Sequence, residues 1–130
     1  MSSAYSNFEM TPKEFTDAIE HIRDKSLDTL LMKNSRYGSS GDALHNFTCG
    51  AAFIGGTQGQ AAWGYMSKHL VSLRDKLMCD DFSDVDDLEE KCQDIINYTA
   101  IIYAIGVNTN RKRAAARAAH VAHKKGDRNK

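Results

Sequence analysis

The chain has 130 residues, of which 42% are hydrophobic and 26% charged, and its formal net charge is zero. This composition is that of one ordinary soluble globular domain, and the length leaves no room for two. No apolar run approaches the roughly 18–20 residues of a membrane span, and the N-terminus lacks the basic and apolar regions of a secretion signal. Three cysteines without metal-like spacing favour a reducing compartment. We therefore expect a cytoplasmic protein.

The zero net charge conceals a strong asymmetry. Residues 111–130 contain eight basic side chains and one acidic side chain, whereas residues 1–110 contain nine basic and 16 acidic ones. An acidic body with a basic tail suggests two roles, or a tail that docks on its own or a neighbouring body.

The first two helices are predicted from their start signals. Thr11, Pro12 and Glu14 form a capping box with proline at the first helical position, and the apolar stripe that follows extends to about residue 34. After a turn-forming segment at 36–41, Asp42 is predicted to cap a short second helix that extends to about residue 53.

Two longer helices complete the predicted domain. Thr57 and Gln60 form a second capping box that opens the third helix, and Ser83 is predicted to cap a fourth helix that ends near Gly106. No segment alternates with the period of a strand. We therefore predict an all-α four-helix bundle over residues 10–106 and a basic, alanine-rich helical or flexible tail over 107–130.

The fourth helix has two neighbouring stripes. Apolar and small residues recur every three or four positions and predict a core face: Leu88, Cys92, Ile95, Thr99 and Ile102. An adjoining stripe is acidic and polar: Asp87, Glu90, Asp94 and Asn97. Carboxylates one turn apart repel each other unless a cation lies between them, so this stripe predicts either a divalent metal site or a solvated acidic face.

Further polar residues are expected to gather near this stripe in a bundle. They come from the end of the first helix, from the second and from the third: Lys33, Asn34, Arg36, Tyr37, His45, Asn46, Lys68, His69, Ser72, Asp75 and Lys76. Hard carboxylate ligands suit magnesium or manganese, and nearby lysines suit phosphate. The combination predicts a metal-assisted phosphate site, although each member also has a structural interpretation, such as a hydrogen-bonded core histidine at His69 or a Lys91–Asp87 surface pair.

Four segments carry a resemblance to known proteins. They are KNSRYG at residues 33–38, DALHNF at 42–47, WGYMSKHL at 63–70 and EKCQDIINY at 90–98. These segments resemble small phage-encoded proteins related to MazG-like all-α nucleoside triphosphate pyrophosphohydrolases and to nucleotide-modification-associated domains. The similarity covers roughly residues 10–105, and its most specific part is the acidic fourth helix.

This resemblance implies an oligomeric helical bundle that holds magnesium and releases pyrophosphate from a nucleotide. Glu90 and Asp94 match the second acidic motif and would be both metal ligands and catalytic groups. The chain departs from the pattern at the first motif, where Glu-x-x-Glu is absent and the third helix offers Asp75 as a third ligand. The ligand-binding residues in this hypothesis are Lys33, Asn34, Tyr37, Asn46, Lys68, His69 and Asn97.

Three functions follow as hypotheses. The first is a magnesium- or manganese-dependent pyrophosphohydrolase of phage nucleotide metabolism. The second is a protein that binds and sequesters a nucleotide, such as a signalling nucleotide of host defence, without hydrolysing it. In the third, the body is a scaffold and tail 111–130 binds nucleic acid. For the tail itself, a solubilising role and docking on a partner are the alternatives. A homo-oligomer is expected, because Tyr98, Ile101, Ile102 and Tyr103 surround several sides of one helix.

Overall fold

A computed structural model describes residues 8–37 and 41–128, with the side chains of 35–37 outside the description. In this part of the chain the structure is all-helical, with α1 (Pro12–Tyr37), α2 (His45–Ile54), α3 (Gln58–Met78) and α4 (Val85–Arg128), and has no strand. The predicted all-α architecture of four helices is thus confirmed. None of the described helices is long and apolar enough to cross a membrane.

The two predicted capping boxes are present. Thr11 Oγ1 accepts from the backbone N–H of Glu14, whose carboxylate accepts from the N–H of Thr11 in return. Thr57 and Gln60 make the same reciprocal pair at the start of α3. Each box satisfies two of the backbone donors that a helix start leaves without partners, which is why the sequence signal was reliable here.

The predicted caps of α2 and α4 lie one or two residues from the actual starts. Asp42 accepts from the N–H of Leu44 in a turn that precedes α2, and Leu44 itself occupies the cap position. At α4, Asp84 accepts from the N–H of Asp87, while Ser83 donates to Asp81 instead. Acidic side chains compete well for free N–H groups at a helix start, where the helix dipole favours negative charge.

The predicted end of the fourth helix at Gly106 is wrong. α4 continues through Gly106 to Arg128 and has 44 residues, about 66 Å of helix. One glycine inside a helix costs only about 1 kcal/mol, and the six alanines that follow between 114 and 122 are the strongest helix formers. The basic segment is therefore a helical continuation of α4 beyond the bundle.

α4 is the axis on which the other helices pack. α3 lies antiparallel to it, because contacts advance along α3 as they retreat along α4, from the Met66–Thr99 contact to the Lys76–Asp87 contact. α1 lies along the first part of α4, where Thr29 donates to Gln93. α2 packs against α3.

The buried core is small and lies where α2, α3 and α4 meet. Phe47, Ala62 and Ile105 form it, with half-buried apolar side chains of α4 packed around them. Gly50 allows α2 to approach α3 closely, since a Cβ at this position would lie 2.6 Å from Tyr65 Oη and 3.1 Å from Ala61 Cβ.

Many large apolar side chains remain on the surface of the single chain. Tyr103 is 76% exposed, and α1 leaves Phe15, Leu27 and Leu31 about half exposed or more. Exposed apolar surface of this kind is found at protein–protein interfaces and in ligand-binding grooves.

Candidate functional site

An open cavity lies between α2, α3 and α4. Its volume is about 430 Å³, within the range of small-molecule sites. Four aromatic residues, two polar residues and two small residues line it: Phe47, Phe53, Tyr65, Tyr98, Asn46, Lys68, Cys49 and Gly50. Asn46 and Lys68 were among the predicted ligand-binding residues.

The aromatic rings form one continuous wall. The Phe47 and Tyr65 rings meet edge to face with centroids 6.0 Å apart, and Tyr65 lies 6.5 Å from Tyr98. The Tyr98 ring in turn stacks against the imidazole of His69 at 5.4 Å and 29°. Because each ring is held by the next, the wall presents flat π surfaces in fixed positions.

Phe53 separates this cavity from a second, more apolar one. The second cavity, of about 400 Å³, shares Gly50, Phe53 and Tyr65 with the first and is otherwise lined by Ile54, Gln60, Ala61 and Gly64. The Phe53 side chain is 92% exposed. A fully exposed phenylalanine beside an open cavity is well placed to close over a flat ligand.

His69 and Asp94 stand behind the aromatic wall. His69 Nδ1 lies 3.3 Å from Asp94 Oδ2, and both side chains are about one-quarter exposed. Burial, together with the nearby charge of Asp94, raises the pKa of the Tyr98 phenol. The phenol of this cavity residue is therefore harder to ionise than an exposed tyrosine.

Two of the four residues of the acidic stripe of α4 meet side chains of the same chain. Asp87 accepts from Lys76 at 2.8 Å and lies 3.3 Å from Lys91, the pair that the sequence offered as an alternative. Asp94 meets His69. Glu90 lies one turn from both Asp87 and Asp94 and is exposed. Asp87 and Asp94, half of the stripe, thus connect α4 to α3. The stripe is not simply a solvated acidic face.

Lowering the pH tests the Lys76–Asp87 pair. Hydrogen bonds from Lys76 and then Lys91 lower the pKa of Asp87, so this carboxylate stabilises the fold above its unfolded pKa of about 3.9. That contribution is lost as the pH falls through the lower, folded pKa. We expect Asp87→Asn to unfold at a lower temperature at neutral pH and to differ less from wild type at about pH 2. The control is the exposed neighbour Asp86→Asn, and equal pH profiles for both variants would contradict the assigned pair.

The predicted metal ligands occupy separate surroundings. Glu90 and Asp75 are exposed, and Asp94 is engaged with His69. Within residues 8–37 and 41–128 no three His, Cys, Asp or Glu side chains gather in a group that could hold a metal ion. The three predicted ligands Asp75, Glu90 and Asp94 therefore do not form one group within the described residues of a single chain.

The remaining predicted residues are divided between α1 and α4. Lys33 and Asn34 are exposed near the end of α1, and Asn97 is buried on α4, one turn beyond Asp94. Tyr37 ends α1, but its side chain, like that of Arg36, lies outside the described residues. The structure therefore brings Asn46, Lys68, His69 and Asp94 to one region and leaves Glu90, Asp75, Lys33 and Asn34 at the surface.

The sequence interpretation missed most of the cavity wall. It placed neither Phe47 nor Tyr65 in a binding site, and residue 53 appeared only as the approximate end of the second helix. A usable signal was present, because Phe47 and Phe53 come from a short helix that carries no charged residue except the histidine at its start. Such a helix has to bury its aromatic side chains or offer them to a ligand.

Comparison of the chain with models of protein families, with curated proteins and with solved structures gives no match. The resemblance to MazG-like proteins therefore stays a prediction that rests on the four sequence segments.

Proposed function

We propose that this protein binds a nucleotide in the cavity between α2, α3 and α4. The observation that carries the proposal is the combination of an aromatic wall with one lysine in a cavity of about 430 Å³. Stacking on an aromatic side chain contributes about 1–3 kcal/mol per base and tolerates any base. A lysine ammonium at the same cavity supplies the charge that a phosphate needs.

Each part of the cavity has a role in this proposal. The base stacks on Tyr65 or Tyr98, with Phe53 closing over its open face. Asn46 offers both a donor and an acceptor to a base edge, and the Tyr98 phenol adds a donor. Lys68 binds the phosphate, and His69 is held in place by Asp94 and by stacking on Tyr98.

This proposal also carries the finer sequence hypotheses. The chain would be a MazG-like bundle of a phage, acting in the host cytoplasm as an oligomer, and it would sequester its nucleotide or process it. Support comes from the KNSRYG and EKCQDIINY segments and from the exposed apolar surface.

Equilibrium dialysis tests the binding proposal. The panel comprises nucleoside monophosphates, nucleoside triphosphates and cyclic nucleotides, each with and without magnesium. We expect the protein to retain at least one nucleotide, and we expect the nucleotides that it retains to compete with one another for the cavity. If inorganic phosphate is retained as well as every nucleotide, the aromatic wall makes no contribution and the proposal fails.

Magnesium-dependent hydrolysis of the bound nucleotide is the second candidate. The observation that favours it is Asp94, a half-buried carboxylate that lies behind the cavity wall and one turn from Glu90. A second subunit could complete the ligand set that one described chain lacks.

Replacing Asp94 by Asn separates the two candidates. If the protein hydrolyses its ligand, we expect the release of pyrophosphate by Asp94→Asn to fall to background, because an amide does not supply the anionic oxygen that magnesium prefers. Nucleotide retention in dialysis should persist, and Asp86→Asn should behave as wild type. Pyrophosphate release that is undiminished in Asp94→Asn would rule out the assigned ligand, while its absence from wild type would leave a nucleotide-binding protein.

A further inference from the structure

The C-terminal half of α4 is an exposed basic helix. Every described residue from 110 to 128 is exposed, and the helix is continuous from Val85 to Arg128. Residues 111–130 carry the eight basic side chains and one acidic side chain noted above. Such a helix makes no tertiary contact of its own that would keep its charges in place.

Four of its basic side chains and His120 form one row. Arg113, Arg117, His120, Lys124 and Arg128 follow one another at intervals of three or four residues, which places them on one face of the helix. No described ion pair involves a side chain of that row. The nearby His123 lies 3.3 Å from Asp127. We call these five side chains the basic row.

The basic row cannot reach the acidic surface of its own chain. α1 contacts α4 near Glu89 and Gln93, and Arg113 lies about 30 Å farther along the same unbroken helix. Since the helix has no break at which to fold back, α1 of the same chain cannot be the partner of the row.

α1 carries an exposed acidic row. Asp17, Glu20, Asp24 and Asp28 recur every three or four residues and are all exposed, and they span twelve residues, as do Arg117 to Arg128 within the basic row. Two of them pair within their own helix, Asp17 with Lys13 and Asp24 with Arg23. Such exposed pairs within one helix contribute little to stability, so a better partner displaces them.

Apolar side chains accompany the acidic row. Leu27 and Leu31 are 51% and 57% exposed and lie beside Asp24 and Asp28 on the same helix. On the tail, Val121 and the alanines next to the basic row offer a matching small apolar surface.

We propose that the basic row of one chain docks on the acidic row of α1 in a second copy of the chain. The body carries seven negative charges in excess and the tail seven positive ones, so association neutralises both. Burial of Leu27 and Leu31 adds an apolar contact to the charge contact. A second copy is favoured over nucleic acid as the occupant, because the acidic body repels phosphates and the two exposed leucines make no favourable contact with them.

Sedimentation velocity of the full chain tests this proposal. At low ionic strength we expect a particle of at least two 14.5 kDa chains, which dissociates as salt screens the two rows. Arg117→Glu with Lys124→Glu should yield a monomer, as should Glu20→Lys with Asp24→Lys. Mixing these two variants should restore the particle, because the acidic tail of one variant can then bind the basic α1 of the other.

The matched control keeps the net charge of the tail variant. Arg111→Glu with Lys125→Glu makes the same change in charge, roughly a third of a turn away around the helix. This control should associate as wild type does. A monomeric wild type, an equal effect of the control, or a mixture that stays monomeric would each overturn the proposal.

Nucleic acid as the occupant is tested in the same samples. Fluorescence anisotropy with a labelled DNA duplex and a labelled RNA hairpin should show no binding that depends on the basic row. A monomer that binds either probe, and loses that binding in Arg117→Glu with Lys124→Glu, would overturn the second-copy proposal.

Discussion

Replacing Phe47 by Ala is expected to destabilise the fold by about 3–5 kcal/mol, a large part of the stability of a small domain. Phe47 is only 8% exposed and packs with Ala62 and Ile105 in the small core where three helices meet. Its ring also meets Tyr65 edge to face. Removing the ring leaves a cavity that few neighbouring side chains can fill. Urea unfolding followed by circular dichroism measures the loss.

The matched control is Phe53, the other phenylalanine of α2. Its side chain is almost fully exposed, so Phe53→Ala should change the free energy of unfolding by no more than about 0.5 kcal/mol. The same substitution should weaken nucleotide binding, since Phe53 lines the proposed site. Equal destabilisation by the two substitutions would show that the core does not lie where α2, α3 and α4 meet.

Replacing Lys68 by Ala is expected to weaken nucleotide binding by about ten- to a hundredfold. A hydrogen bond to a charged group contributes about 1.5–3 kcal/mol, and 1.4 kcal/mol corresponds to a factor of ten in the dissociation constant. Lys68 is exposed and makes no described ion pair, so its loss should leave the free energy of unfolding nearly unchanged. Equilibrium dialysis gives the affinity and urea unfolding gives the stability.

A lysine outside the cavity serves as the control for charge. Lys25 is exposed on α1 and does not line the cavity, so Lys25→Ala should bind the nucleotide as tightly as wild type. Equal loss of affinity in the two lysine variants would mean that the ligand responds to overall charge and not to the cavity.

The sequence predicted the start of a helix well where a nearby side chain accepts a hydrogen bond from a free backbone N–H group. The Thr11–Glu14 and Thr57–Gln60 boxes were predicted and are present, because both partners lie within four residues of each other. Gly106 was misread for the opposite reason. Whether a glycine ends a helix depends on what the following residues contribute, and here a run of alanines carries the helix onward.

The site was harder to predict, because its geometry depends on contacts between helices. Spacing placed Asp87, Glu90 and Asp94 on one stripe with residues of α3 expected nearby. It could not specify that Lys76 would meet Asp87 and that His69 would meet Asp94. That outcome depends on the antiparallel register of α3 and α4. The stacking of Tyr98 on His69 depends on the same register and could not be predicted either.

The most direct test of the nucleotide proposal is a titration of the ¹⁵N-labelled chain followed by two-dimensional NMR. A nucleotide retained in dialysis should shift the amide signals of the cavity wall, with Gly50, Phe53, Lys68 and Tyr98 moving together and saturating at one dissociation constant. Signals of α1 far from the cavity, such as that of Asp17, should stay in place. Shifts confined to α1 or to the basic tail, with the cavity wall unmoved, would contradict the proposal.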